Sequence, residues 1–241
     1  MAEAAGDAAA RYESYEGPLG RESMLVHGPE DGPRALILPL LFAEGNGTRA
    51  TIVALARVLA AAGIGSAIPD LPGTGESETA LAGVDWADWR SAAAAAGRAI
   101  GRPHVVALRG AALIDDAVAA ASWWRYAPAP GATLLRQLER AQKIADSEAA
   151  PGTVAPGTVT PGGGIGGGGG AAIELAGYRV SPLLCEGLRA AEPATPPGRL
   201  RSQAFEGPGM APWRRAEPTA DPELAARLGA DIADWIHRCE P

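Results

Sequence analysis

A chain of 241 residues is long enough for one large α/β unit, and 47% hydrophobic with 20% charged residues is ordinary globular usage, which excludes a wholly disordered protein. The formal net charge of −7, with basic residues scattered along the chain, excludes a broad nucleic-acid-binding face. Two distant cysteines, Cys185 and Cys239, form neither a disulfide framework nor a zinc cluster, so a reducing compartment, no metal and no cofactor are expected.

Residues 1–20 carry acids and no apolar signal-peptide core, and are expected to be a flexible N-terminus ahead of one domain over 21–241. The apolar run 35–39 predicts a buried strand. A helix follows over 48–62, with Ile52, Leu55, Ala56 and Leu59 on one stripe and Gly63 closing it. This stretch, interrupted by Arg57, is too short to span a bilayer, so the protein is expected to be soluble and cytoplasmic, without a transmembrane segment.

A second strand over 64–68 ends in Pro69-Asp70 and the turn Leu71-Pro72-Gly73-Thr74-Gly75. Asp85 caps a helix to about residue 100, a third strand covers 104–108, and a third helix is expected over 110–121. A fourth strand over 122–126 leads into an amphipathic helix over 132–147. Then comes PGTVA-PGTVT-PGGGI-GGGGG, a five-residue period with no apolar face, expected to be a flexible Gly/Pro insert over 148–171. Beyond it lie a hairpin or strand over 173–180, a helix opened by Ser181-Pro182, a strand over 200–205, and a last helix capped by Asp221-Pro222. Alternating strands and helices with short apolar strands predict a mostly parallel sheet covered on both faces, resuming after the insert.

The order of these elements around Asp-Leu-Pro-Gly-Thr-Gly-Glu-Ser resembles α/β-hydrolases, and more closely the group called exosortase A system-associated hydrolase 2. The blocks carrying the resemblance are LVHGPEDGPRALILPLLFAEGNGTR (25–49), AIPDLPGTGES (67–77), VVALRGAAL (105–113) and GPGMAPWRRAEPTADPEL (207–224). AGYRVSP (176–182) fits the same group. The resemblance implies an α/β-hydrolase-like fold with a shortened cap. It places the oxyanion-hole loop at Leu41, Phe42 and Glu44, and a lid at the amphipathic helix, over 134–144. The group's pattern has a His shortly before the Phe, where this chain has Pro39 and Leu40.

A serine hydrolase needs a nucleophile on a sharp strand-to-helix turn, with an acid and a histidine after later strands. Here the turn is Leu108-Arg109-Gly110-Ala111, and a guanidinium stays protonated and is no nucleophile. The resemblance extends to Leu-Arg at this turn, implying a shared trait. The loop 206–220, where the base belongs, holds no His, and His27, His104 and His237 are expected to be surface or helix-terminal residues. The acid slot near Glu192 is equally bare.

Charge takes their place. Arg109, Glu44, Arg49, Glu217 and Trp213 are expected to converge at the carboxyl edge of the sheet, with Glu44 and Glu217 as partners for Arg109. Three readings stay open: an Arg–Glu bridge that only holds loops, an arginine that binds a carboxylate or phosphate, and hydrolysis by Ser77 or Thr74. Asp115-Asp116 are expected on a solvated helix face, Trp86, Trp89, Trp123 and Trp124 as packing anchors, and Cys185 buried. Functionally, a non-catalytic protein that binds a small anionic or acyl ligand, or a partner, stands beside an ester or thioester hydrolase linked to exopolysaccharide or exosortase systems.

Overall fold

The computed structural model describes residues 10–148, 171–206, 210–215 and 217–241. Strands β1 (Arg11–Gly17) and β2 (Gly20–His27) form an antiparallel hairpin in register from Arg11↔Val26 to Gly17↔Gly20. This corrects the expectation of a flexible stretch through residue 20. The sequence signal is faint because Tyr15 alone in β1 is buried, where its hydroxyl donates to the Asp70 carbonyl at 2.6 Å.

Strand β3 (Arg34–Leu38), helix α1 (Ala43–Ala61), β4 (Gly65–Pro69), α2 (Trp86–Ala99), β5 (His104–Leu108) and β6 (Ser122–Tyr126) follow. Then come α3 (Gly131–Glu148), the short strands β7 (Ile173–Leu175) and β8 (Tyr178–Val180), α4 (Pro182–Ala190), β9 (Arg199–Gln203) and α5 (Pro222–Cys239). Helix α1 starts five residues before the expected 48, the start having been masked by Gly45 and Gly47. The expected insert lies, but for its end residues, outside the described residues.

Seven strands make one sheet in the order β1-β2-β4-β3-β5-β6-β9, parallel from β4 to β9, and β9 pairs with β6 from Ser122↔Arg199 to Tyr126↔Gln203. The chain on either side of residues 149–170 therefore builds the same sheet. This is the α/β-hydrolase-like fold that the resemblance implies. Among the described residues, no helix is long and apolar enough to cross a membrane.

Strand side chains alternate between two apolar layers. Leu36, Leu38, Val105, Ala107 and Trp123 face a layer with Trp89, Leu134, Leu135, Leu184 and Cys185. Ala35, Ile37, Val106, Leu108, Trp124 and Tyr126 face the opposite layer, built by α1 and α5. Adjacent Trp123 and Trp124 thus anchor opposite faces, each burying about 150–250 Å², worth about 4–6 kcal/mol. Alanines fill the remaining space.

One correction bears directly on the site. Instead of a helix over 110–121, β5 runs into two short 3-10 turns, Arg109–Leu113 and Asp115–Ala117. The physical reason is the acid pair expected on a solvated face. Asp115 turns inward to meet Arg125 at 2.6 and 2.7 Å, and Asp116 binds Arg90 through two 2.8 Å contacts. Burial pushes the Asp115 carboxyl up to about 6 despite Arg125, while Arg90 draws that of Asp116 down.

Candidate functional site

Three non-glycine residues with left-handed backbone stand at the carboxyl ends of three adjacent strands: Phe42 (φ 57) after β3, Arg109 (φ 55) after β5 and Ala127 (φ 46) after β6. Such conformations cost of order 1–3 kcal/mol each and persist only where surrounding contacts hold them. Their clustering marks the edge where open α/β sheets bind ligands.

Arg109 occupies the sharp turn itself, and its guanidinium is held on three sides. Nη2 donates to Glu44 Oε1 at 3.1 Å and Nε to Glu44 Oε2 at 3.3 Å, a two-point bridge. Nη1 donates to the Ala127 carbonyl at 3.2 Å, an oxygen that the strained φ of Ala127 aims inward. The Trp213 ring covers the guanidinium carbon at 4.8 Å. Only 10% of the Arg109 side chain and 9% of that of Glu44 remain exposed. Burial raises the Glu44 carboxyl above its ordinary value, with Arg109 and then Arg214 pulling the other way.

Glu44 and Trp213 are thus where the sequence places them, and the loop after the last strand delivers an indole above residue 109 instead of an imidazole. Glu217 and Arg49 are not. Glu217 is exposed and its carbonyl accepts from Thr219, while Arg49 lies 3.9 Å from Asp70, away from the bridge. Leu41 and Phe42 do flank the turn, but the space beside Gly110 is closed by leucine side chains. A Cβ on Gly110 would run into Leu134 Cδ1 and come within 3.3 Å of Leu41 Cδ1. Leu134 belongs to α3, so the expected lid helix begins directly over the elbow.

The histidines lie elsewhere. His104 is buried near the amino end of β5, between Ser122 Oγ at 2.9 Å and Glu240 Oε1 at 2.8 Å. His27, also buried, pairs in register with Ser66 at the start of β4, and only His237 is exposed. Two of the three are core residues, contrary to expectation. Thr74 and Ser77 are occupied in the turn after β4. Thr74 Oγ1 accepts from the Leu71 N–H and donates to its carbonyl, and Ser77 Oγ accepts from the N–H groups of Gly73 and Thr79. Among the described residues no group of three His, Cys, Asp or Glu side chains could hold a metal ion.

A cavity of about 340 Å³ opens on the other side of Phe42, between α1 and the turn after β4. Ile52, Val53, Ile68, Leu71 and Leu81 wall it, and Asn46, Arg49, Asp70 and Tyr178 supply its polar groups. Tyr178 reaches it from the start of β8, just after the two-residue turn in which Ala176 (φ 51) and Gly177 (φ 82) give the left-handed pair such hairpins need. Its ring meets Phe42 edge-on at 5.5 Å, and its hydroxyl accepts from Asn46 Nδ2 at 3.2 Å. Ala127 and Tyr178 were invisible as site residues in the sequence: one acts through its carbonyl, the other arrives from a remote hairpin.

No protein-family model and no curated protein matches the chain. Solved structures do match at low identity. Epoxide hydrolase A from Mycobacterium thermoresistibile is 18% identical over 49% of this chain and 39% of its own, with a TM-score of 0.39. The thioesterase domain from the curacin biosynthetic pathway is 16% identical over 49% of this chain and 44% of its own, with a TM-score of 0.43. An alpha-beta serine hydrolase homologue from Coxiella burnetii is 18% identical over 49% of this chain and 62% of its own, with a TM-score of 0.41. The chain thus spans less than half the length of the first two. At this level the likeness concerns fold alone.

Proposed function

We propose that this chain uses the α/β-hydrolase fold to bind a small anionic or acyl ligand, or a partner, without Ser-His-Asp catalysis. The observation that carries the reading is Arg109. It stands at the strained elbow where such chemistry needs a nucleophile, and its guanidinium is bound by Glu44, Ala127 and Trp213. Trp213 and the distant histidines support the same conclusion, since no imidazole reaches residue 109. Kinship with exosortase A system-associated hydrolase 2 belongs to this reading on the strength of the sequence blocks. So does a cytoplasmic site of action, in keeping with two unpaired cysteines.

An ester or thioester hydrolase is the second reading, favoured by the preserved strain at the elbow. A panel of p-nitrophenyl and thioester substrates separates the two. The binding reading expects turnover no faster than buffer. Turnover that a serine-directed fluorophosphonate abolishes would overturn it.

A further inference from the structure

We propose that the cavity beside Phe42 binds a small carboxylate with an apolar body, held by Arg49 and the Tyr178 hydroxyl. This rests on the binding reading above and names its ligand class. Three buried or half-buried arginines are spent: Arg109, Arg125 and Arg90 each make two-point contacts with a carboxylate. Arg49 is different. Its side chain is 51% exposed, it lines the cavity, and among the described residues nothing hydrogen-bonds to its guanidinium. Asp70, at 3.9 Å, is beyond hydrogen-bond reach and already accepts the Glu76 N–H at 3.2 Å.

Asn46 precedes Arg49 by three residues on α1, so both stand on one helix face. Asn46 gives an N–H to the Tyr178 oxygen, which leaves the phenolic proton without an acceptor among the described residues. One charged and one neutral donor therefore border the cavity together with the Asp70 carboxylate, and aliphatic and aromatic side chains form much of the remaining wall. Its volume of about 340 Å³ suits a small ligand. A guanidinium matches a carboxylate in shape and charge, and the apolar walls match an acyl or aryl body.

The test is isothermal titration of the full chain with octanoate, 1-octanol and octylamine. Octanoate is expected to bind, with R49M weakening it roughly tenfold or more and Y178F by a few-fold. R57M, at an exposed site of α1 outside the cavity, should leave it unchanged. Octanol bound as tightly as octanoate, R49M of wild-type affinity, preference for octylamine, or no binding of octanoate would each overturn the proposal. A carboxylate offers no ester bond, so these outcomes are independent of whether the chain hydrolyses esters. Binding of octanol or octylamine alone would refute the carboxylate while leaving a binding function standing.

Discussion

Replacing Arg109 by methionine isolates what the buried bridge contributes. Methionine keeps an apolar stem in the slot but removes the cation between Glu44, the Ala127 carbonyl and the Trp213 ring. Glu44 is then a buried carboxylate without its counter-charge, and breaking such a pair costs about 3–5 kcal/mol. Loss of ring stacking adds about 0.5–2 kcal/mol. The cost depends on pH. Burial already raises the Glu44 carboxyl, and losing Arg109 removes the main groups that lower it. A group raised in the folded state favours folding fully below its unfolded value, and that contribution is lost as pH rises through the folded one. R109M should therefore fall furthest below wild type near pH 8 and recover towards pH 5. In R109M/E44M both charges are gone, and much of the loss should be regained. Urea unfolding followed by tryptophan fluorescence at pH 5, 6.5 and 8 reads all three proteins. A loss under about 1 kcal/mol at pH 8, or one independent of pH, would refute the reasoning.

Three further outcomes follow from named contacts. G110A should cost about 1–3 kcal/mol, because its methyl group must displace Leu134; an unchanged urea midpoint would mean that α3 does not roof the elbow. D116N should remove about 1 kcal/mol at neutral pH, discounted because Arg90 is partly open to water. Since Arg90 lowers the Asp116 carboxyl, this contribution is present above about pH 4 and lost as pH falls through the lowered value, so the wild-type advantage in acid titration should vanish there. E240A should cost about 1 kcal/mol and raise hydrogen exchange at the end of α5, because it removes the acceptor that ties Glu240 to His104.

Much of the sheet was legible because buried parallel strands are short, continuous apolar runs, as in Val105-Val106-Ala107-Leu108. β1 was not, since a hairpin edge that buries only Tyr15 leaves a polar sequence. The expected helix after Arg109 failed for a different reason. Its apolar composition suits a helix, but Asp115 and Asp116 are drawn to Arg125 and Arg90, partners remote in sequence. Of the site, the Arg109–Glu44 bridge and Trp213 followed from charge and chain order. Arg49 was misplaced because sequence order shows that it closely follows Glu44, but not that five residues along α1 carry it away from the bridge and towards Asp70. Buried His104 likewise depends on Glu240, 136 positions away.

The elbow carries a bound arginine at the turn where Ser-His-Asp chemistry needs a nucleophile. Intact-mass spectrometry of the protein after incubation with a serine-directed fluorophosphonate tests it most directly. An unchanged mass is expected. A stoichiometric adduct of one phosphonyl group would contradict it.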